Sequence, residues 1–314
     1  MLGRPRKRRG TRQMTTCVAA LCDARKTIVL VADRLVGYGF VQSEPEIAKR
    51  LELHNNWHVL MAGNDIDPVF DIVDAAKEKL AATPAPSVTT VMTELFQAYK
   101  DRRLASAEAQ YISPRGITWD SFFKEGRKWA PETDYLERLA KVDAYDLDLQ
   151  LLVAGFDDQK VGHIFSIEND YNRGEPRRHD LGFHAIGSGY VNATFFLAYR
   201  QLGPDIGARE AVLYALEAKY WGEEAPGVGE DTDIRIIRGD QDDIIIGLDR
   251  IEERLIPICQ ALRPRQLHAY AKHLKTLNEL EELKEFDPIT PKKKAKAKEA
   301  QHETPSDSKD SGAA

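Results

Sequence analysis

Hydrophobic residues first become patterned at position 15. The segments "TTCVAALC" and "TIVLVAD" are rich in β-branched residues and predict two strands, with "DARK" between them as a hairpin turn. "GFVQSEPEIAKRLELHNN" and "WHVLMAG" predict two further strands with their turns. At Asp67 the period changes, and Val69, Ile72, Val73, Ala76 and Leu80 fall on one helical face. "TPAPS" stops that helix. Ser87 then caps a second, on which Val88, Val91, Met92, Leu95 and Tyr99 share a face. "LDLQLLVAGFD" and "VGHIFSIEN" predict a hairpin around Asp157–Lys160. "FHAIGSGYVNATFFLAYRQLG" predicts a strand, a Gly-Ser-Gly turn and a helix. "GAREAVLYALEAKYW" predicts another helix, with Val212, Ala215, Leu216 and Lys219 at helical spacing. A last hairpin is expected from "DTDIRIIRGD" and "DIIIGL". The order is strands, two helices, strands, two helices, strands. Two sheets sandwiched between two helix layers would satisfy this α+β pattern.

Four stretches fall outside that rhythm. Residues 1–14 are mostly basic and polar and suggest a leader, a propeptide or a mis-assigned start. Residues 104–143 have mixed composition, punctuated by Pro114, Gly116, Gly126 and Pro131, and suggest an insertion of short helices. Residues 249–286 are helical in pattern, interrupted by Pro257 and Pro264. From 287 to 314 the chain is rich in Lys, Ser and Pro with few apolar residues, and disorder is expected. The main domain is therefore expected over 15–248.

Composition narrows the function classes. The chain has 314 residues, 42% hydrophobic and 30% charged, with a net charge of −6. No global basic field favours nucleic acid, and the basic residues outside the domain lie in the two tails. Cys17, Cys22 and Cys259 have no paired spacing, which suits a reducing compartment and argues against a disulfide framework. No apolar run reaches the roughly 20 residues that span a bilayer, and no signal-peptide pattern is present. The expectation is a cytoplasmic protein. No His/Cys cluster shows metal-ligand spacing, so neither a metal nor an organic cofactor is expected.

Thr15 directly follows Met14 at the start of the first strand. An N-terminal threonine can be a complete catalytic device. Its hydroxyl is the nucleophile and its own α-amine, titrating near ~7.7–8.0, is the general base. Loss of residues 1–14, or translation from Met14 with methionine removal, would free that amine. Each residue also has a plainer explanation. Two threonines favour a strand start, Asp33 and Arg34 suit a turn-edge ion pair, a lysine in "AKR" is usually solvated, and Gly187 and Gly189 suit a strand-to-helix turn. Cys17 suits a small core position.

The ordered set is more specific than its parts, and it resembles the proteasome β-subunits and their bacterial relatives among the N-terminal-nucleophile hydrolases. The family's strand opens with Thr-Thr, as Thr15-Thr16 does. Its second strand ends in Ala-Asp, here Ala32-Asp33 with two extra hairpin residues. Its lysine follows the aspartate by sixteen residues, as Lys49 follows Asp33. A Met-Ala-Gly segment comes twelve residues later, here from Met61 to Gly63, and a Gly-Ser-Gly turn opens a downstream helix, here Gly187-Ser188-Gly189. The resemblance covers about residues 15–247. It implies a four-layer αββα sandwich and amide hydrolysis through an acyl-enzyme on Thr15. Lys49 would place a cation beside the hydroxyl and Asp33 would fix Lys49. Gly63 would supply an oxyanion N–H, and Ser188 would hydrogen-bond around the amine and relay protons. It further implies peptide or unfolded-protein substrates and a homo-oligomeric ring, and it leaves room for a partner ATPase. One departure stands out. Where the family carries an aspartate and then a serine before glycine, this chain has "EEAPGVGED", with Val228 at the serine position before Gly229.

Two other functions would use the same fold. A non-catalytic assembly subunit would retain residues 1–14, and a small-molecule amidase would use the same residues around a closed pocket. A nucleic-acid binder fits least.

Overall fold

Strands that are apolar on both faces need cover on both faces, and that requirement organises the fold. The structure, a computed structural model, describes residues 15–33, 36–38, 41–43, 49–168, 175–223, 232–239, 241–246, 251–255 and 257–258. The segment 1–14, Val228 and Gly229, Cys259, the tail 287–314 and nearly all of 249–286 lie outside the described residues.

The opening hairpin forms as predicted, with β1 (Cys17–Cys22) antiparallel to β2 (Thr27–Asp33). The segment after it divides. β3 (Val36–Tyr38) and β4 (Val41–Ser43) pair with each other, whereas β5 (Arg50–His54) pairs with β6 (Trp57–Gly63). Two helices follow, α1 (Asp67–Leu80) and α2 (Val88–Tyr111). The predicted face of α1 is buried throughout. Ser87 caps α2 by accepting the Thr90 N–H at 3.2 Å.

The inserted region proves partly continuous with α2. "LASAEAQY" contains no helix breaker, so the helix runs to Tyr111 and stops only before Pro114. A 3₁₀ turn (Ser113–Arg115), α3 (Trp119–Trp129) and α4 (Glu132–Asp143) then pack a small core of their own, centred on Ala107, Ile112, Phe122, Tyr135 and Val142. Gly126, expected as punctuation, lies inside α3. Its missing side chain makes room for the Tyr135 ring, which an added Cβ would approach to 2.8 Å.

β7 (Leu149–Phe156) and β8 (Gly162–Glu168) form the second hairpin. The two-residue β9 (Arg177–Arg178), which the sequence pattern does not announce, borders it. Next come β10 (Phe183–Ile186), α5 (Tyr190–Tyr199), α6 (Ala208–Glu223), β11 (Thr232–Arg238) and β12 (Gln241–Ile246). Of the predicted C-terminal helical segment, a π-helical turn at Ile251–Leu255 is described, and Leu255 and Ile258 join the core that contains α6.

Two five-stranded antiparallel sheets result, in the orders β10-β1-β2-β11-β12 and β5-β6-β7-β8-β9. Strand alternation sorts their side chains. Cys17, Ala19 and Leu21 of β1 join Ile28, Leu30 and Ala32 of β2 in a core shared with Leu60, Ala62, Leu152, Ala154 and Ile164 of the other sheet. The alternate residues Val18, Ala20, Val29 and Val31 pack with α5 and α6. On the second sheet Val59, Met61, Leu151, Val153 and Phe165 pack with α1 and α2. Among the described residues no helix is long and apolar enough to cross a membrane.

β6 and β7 approach closely where Gly155 faces Trp57. A Cβ at Gly155 would overlap the indole and come within 2.7 Å of the Asn56 carbonyl. Gly155→Ala is expected to lose about 1–3 kcal/mol by overpacking. Gly203→Ala, with open space around its site, should stay within about 0.5 kcal/mol of the parent. Denaturant midpoints of the two variants check this.

Candidate active site

Three residues far apart in sequence meet at one end of the inter-sheet layer. Thr15 lies two residues before β1, Asp33 ends β2 and Lys49 immediately precedes β5. Hairpin pairing sets the first two side by side. The Asp33 N–H donates to the Thr16 carbonyl at 3.2 Å, and the Thr16 N–H donates back to Asp33 Oδ1 at 3.3 Å. The second sheet brings Lys49, whose carbonyl accepts from the Met61 N–H of β6 at 3.2 Å.

Lys49 Nζ donates to Thr15 Oγ1 at 2.6 Å and to the two Asp33 carboxylate oxygens at 3.1 and 3.0 Å. All three side chains are buried, Asp33 completely and Lys49 to within 5%. A buried ammonium needs its counter-charge, and here the carboxylate holds it from one side while the hydroxyl takes its remaining reach. In such surroundings a cation 2.6 Å from a hydroxyl oxygen favours the alkoxide-like form of that oxygen. Cys17 is a core residue. Its thiol reaches the Met61 carbonyl at 3.6 Å, and burial, reinforced by the Asp33 charge, pushes it well above its ordinary pKa and keeps it protonated.

The Gly-Ser-Gly turn closes over the other side of Thr15. The Gly189 N–H donates to the Thr15 carbonyl at 3.4 Å. Gly187 sits at φ +89°, and a Cβ there would overlap that same carbonyl. A Cβ at Gly189 or Gly222 would strike the Thr16 hydroxyl. Ser188 is exposed between the two glycines, and no hydrogen bond joins it to Thr15 among the described residues. Gly63 ends β6 opposite Leu149 of β7. A Cβ there would come within 2.7 Å of the Asp148 carbonyl, so close strand approach alone accounts for glycine at this position.

A second polar group was not visible from residue spacing. Glu168 Oε1 accepts from the Ser166 hydroxyl at 2.5 Å and lies 2.9 Å from His184 Nε2. His179 Nε2 lies 2.9 Å from Ser166 Oγ, and Gln150 Nε2 donates to Glu168 Oε2 at 3.4 Å. Burial alone would raise Glu168, but the His184 and Ser166 hydrogen bonds outweigh it and hold the carboxyl below its ordinary value. Burial, then the neighbouring His184, push His179 down to about 3. Glu168, His179 and His184 offer one ligand atom each within 4.8 Å of one another, the donor set of a cation site. The two imidazoles, however, stack face to face, 3.6 Å between centroids and 8° between planes. Lone pairs in parallel planes do not converge on one ion, so this arrangement suits hydrogen bonding and not coordination. One signal for the group does exist in the sequence. Gln150, Ser166, Glu168 and His184 occupy the same alternating positions as the inward-facing Leu152, Ala154, Ile164 and Ile186.

Compared with known proteins, the sequence matches no family model and no curated protein.

His179 and Glu168 both hold folded-state pKa values below their ordinary ones, so the unfolded chain binds more protons and acid destabilises the protein. For His179 the loss begins as pH falls below about 6.5, the unfolded value, and continues to about 3. Glu168 adds its share lower down, below the ordinary glutamate value. His58, pushed down to about 3 by burial and then by Arg50, acts in the same direction as His179. His179→Gln is expected to flatten the decline between about pH 6.5 and about pH 4.5. Urea midpoints of parent and variant across that range measure it.

Proposed function

We propose that this chain is a threonine-type amide hydrolase of the proteasome β-subunit kind, built as a four-layer αββα sandwich, with Thr15 as nucleophile once the residues before it are removed. The observation that carries the reading is the 2.6 Å contact of Lys49 Nζ with Thr15 Oγ1, the lysine being held by both oxygens of the buried Asp33. The cores on both faces of each sheet support the layered fold.

In this reaction the Thr15 hydroxyl oxygen attacks the substrate carbonyl, and its proton passes to the free α-amine of the same residue. The tetrahedral oxyanion is met by a backbone N–H, for which Gly63 is the candidate. Collapse expels the leaving amine, which takes the proton, and leaves an ester on Thr15. Water, deprotonated by the same α-amine, hydrolyses the ester and restores the hydroxyl. Lys49 lowers the cost of negative charge on Oγ1 throughout. Its charge also disfavours protonation of the nearby amine. Ser188, on the exposed turn beside Thr15, is the candidate relay between amine and solvent. The reading extends to peptide or unfolded-protein substrates and a homo-oligomeric ring in the cytoplasm, and leaves room for a partner ATPase.

Peptide hydrolysis and covalent labelling by a threonine-directed electrophile, on matched folded variants, test the reading. Lys49→Ala is expected to lose at least ~10²–10³ in rate. Lys49→Arg should fail as well, because a planar guanidinium is not a compact charge. Thr15→Ser should retain some turnover and Thr15→Ala none. Asp33→Asn should be both inactive and less stable, since stranding a buried cation costs about 3–5 kcal/mol. Intact mass of the active protein should place its first residue at Thr15. A protein that keeps residues 1–14 and labels nowhere is the assembly subunit. One that labels at Thr15 yet cleaves no peptide is the small-molecule amidase. Lys49→Ala hydrolysing at the parent rate overturns the mechanism.

A further inference from the structure

The layer between the two sheets is mainly apolar, and polar side chains enter it in more than one place, at His58 beside Arg50 and again at one edge. There Gln150 of β7, Ser166 and Glu168 of β8 and His184 of β10 face inward beside Leu152, Ile164 and Ile186. Four polar side chains in an apolar layer carry a desolvation cost that any aliphatic replacement would avoid. Their hydrogen bonds form one connected chain. His179 Nε2 meets Ser166 Oγ at 2.9 Å, and Ser166 donates to Glu168 Oε1 at 2.5 Å. His184 Nε2 meets the same oxygen at 2.9 Å. Glu168 Oε2 accepts from Gln150 Nε2 at 3.4 Å. Gln150 then spends its other end across the sheets, where its Oε1 accepts the Gly187 N–H at 2.7 Å.

Gly187, at a φ of +89°, is the residue where an added Cβ would overlap the Thr15 carbonyl. The orientation of its peptide therefore sets how the turn meets Thr15. We infer that Gln150 is a positioning residue for Thr15, held by Glu168 and its two histidines and acting through the Gly187 N–H. Nothing about the turn itself demands this acceptor, since a half-buried N–H can also be satisfied by water. A side-chain amide anchored to a carboxylate fixes both the position and the rotation of the bond. Glu168 also settles which way the amide points. A carboxylate accepts only, so the Gln150 NH₂ must face it and the Oε1 must face Gly187.

This inference rests on the reading of Thr15 as nucleophile, and the test separates the two. The rate of covalent labelling of Thr15 by a threonine-directed electrophile is measured first on the parent. A parent that does not label overturns the Thr15 reading itself. With a labelling parent, Gln150→Leu removes the acceptor and the donor together. It is expected to keep its fold by circular dichroism, lower the labelling rate and kcat by about 10²-fold, the scale of a displaced reacting group, and leave KM within about twofold. Gln150→Glu keeps the acceptor for Gly187 but sets a carboxylate against Glu168, so the strut requires a shared proton. The groups facing that pair are Ser166 on β8, His184 on β10 and His179 after β9, with Arg177 acting on His179. Labelling of Gln150→Glu, divided by the parent value at each pH, should therefore rise as pH falls from about 8 to about 5. A purely structural role predicts no such rise. Folded Gln150→Leu labelling at the parent rate overturns the inference. Should that variant not fold, a flat Gln150→Glu ratio overturns it instead.

Discussion

A lysine ammonium with almost no access to solvent is the constraint on which the site depends. Lys49 is 5% exposed and its partner Asp33 is fully buried. Removing two such charges from water costs several kcal/mol per ion before their attraction is counted. The geometry offsets that cost in several ways at once. Both carboxylate oxygens bind the ammonium, a backbone N–H from Thr16 supports Asp33 Oδ1, and the threonine hydroxyl occupies the direction left open. Each element is delivered by a different strand end. The pair therefore cannot form until both sheets are in register and packed. The site is in this sense a product of both sheets together.

Much of the fold was legible because its signals are local. β-branched alternation located the opening hairpin, and the 3.6-residue spacing from Val69 to Leu80 located α1 with its buried face. Ser87 announced its own cap. Three features were not legible, each for a physical reason. The stretch after β2 was read without its division between two sheets, which depends on partners elsewhere in the chain. Gly126 looked like a break, but a glycine inside a helix can serve a neighbour's ring, and Tyr135 fills that space. β9 has two residues, too few for any period.

The site divides in the same way. Thr15, Asp33 and Lys49 were singled out by the family resemblance and its ordered motifs, and the structure brings them into contact. Ser188 and Gly63 came from the same resemblance, but their neighbourhoods show an exposed turn and a crowded strand end. The Gln150–Glu168–His184 group escaped because its members come from separate strands with no motif linking them. Only the question of why polar residues share a face with Leu152 and Ile164 points to it.

That polar edge also has a consequence for how the chain finds its fold. Side chains of a strand change faces with every residue, so a slip of one position in β7 or β8 would turn Gln150 and Glu168 toward α1 and α2. They would then lie among Leu149, Leu151 and Phe165, a layer made of aliphatic and aromatic side chains. A carboxylate stranded there is far costlier than a misplaced leucine. Apolar strands buried on both faces tolerate misalignment, because either face suits either layer. A few inward polar residues remove that tolerance, and so act as a proofreading device for strand pairing during assembly of the two sheets.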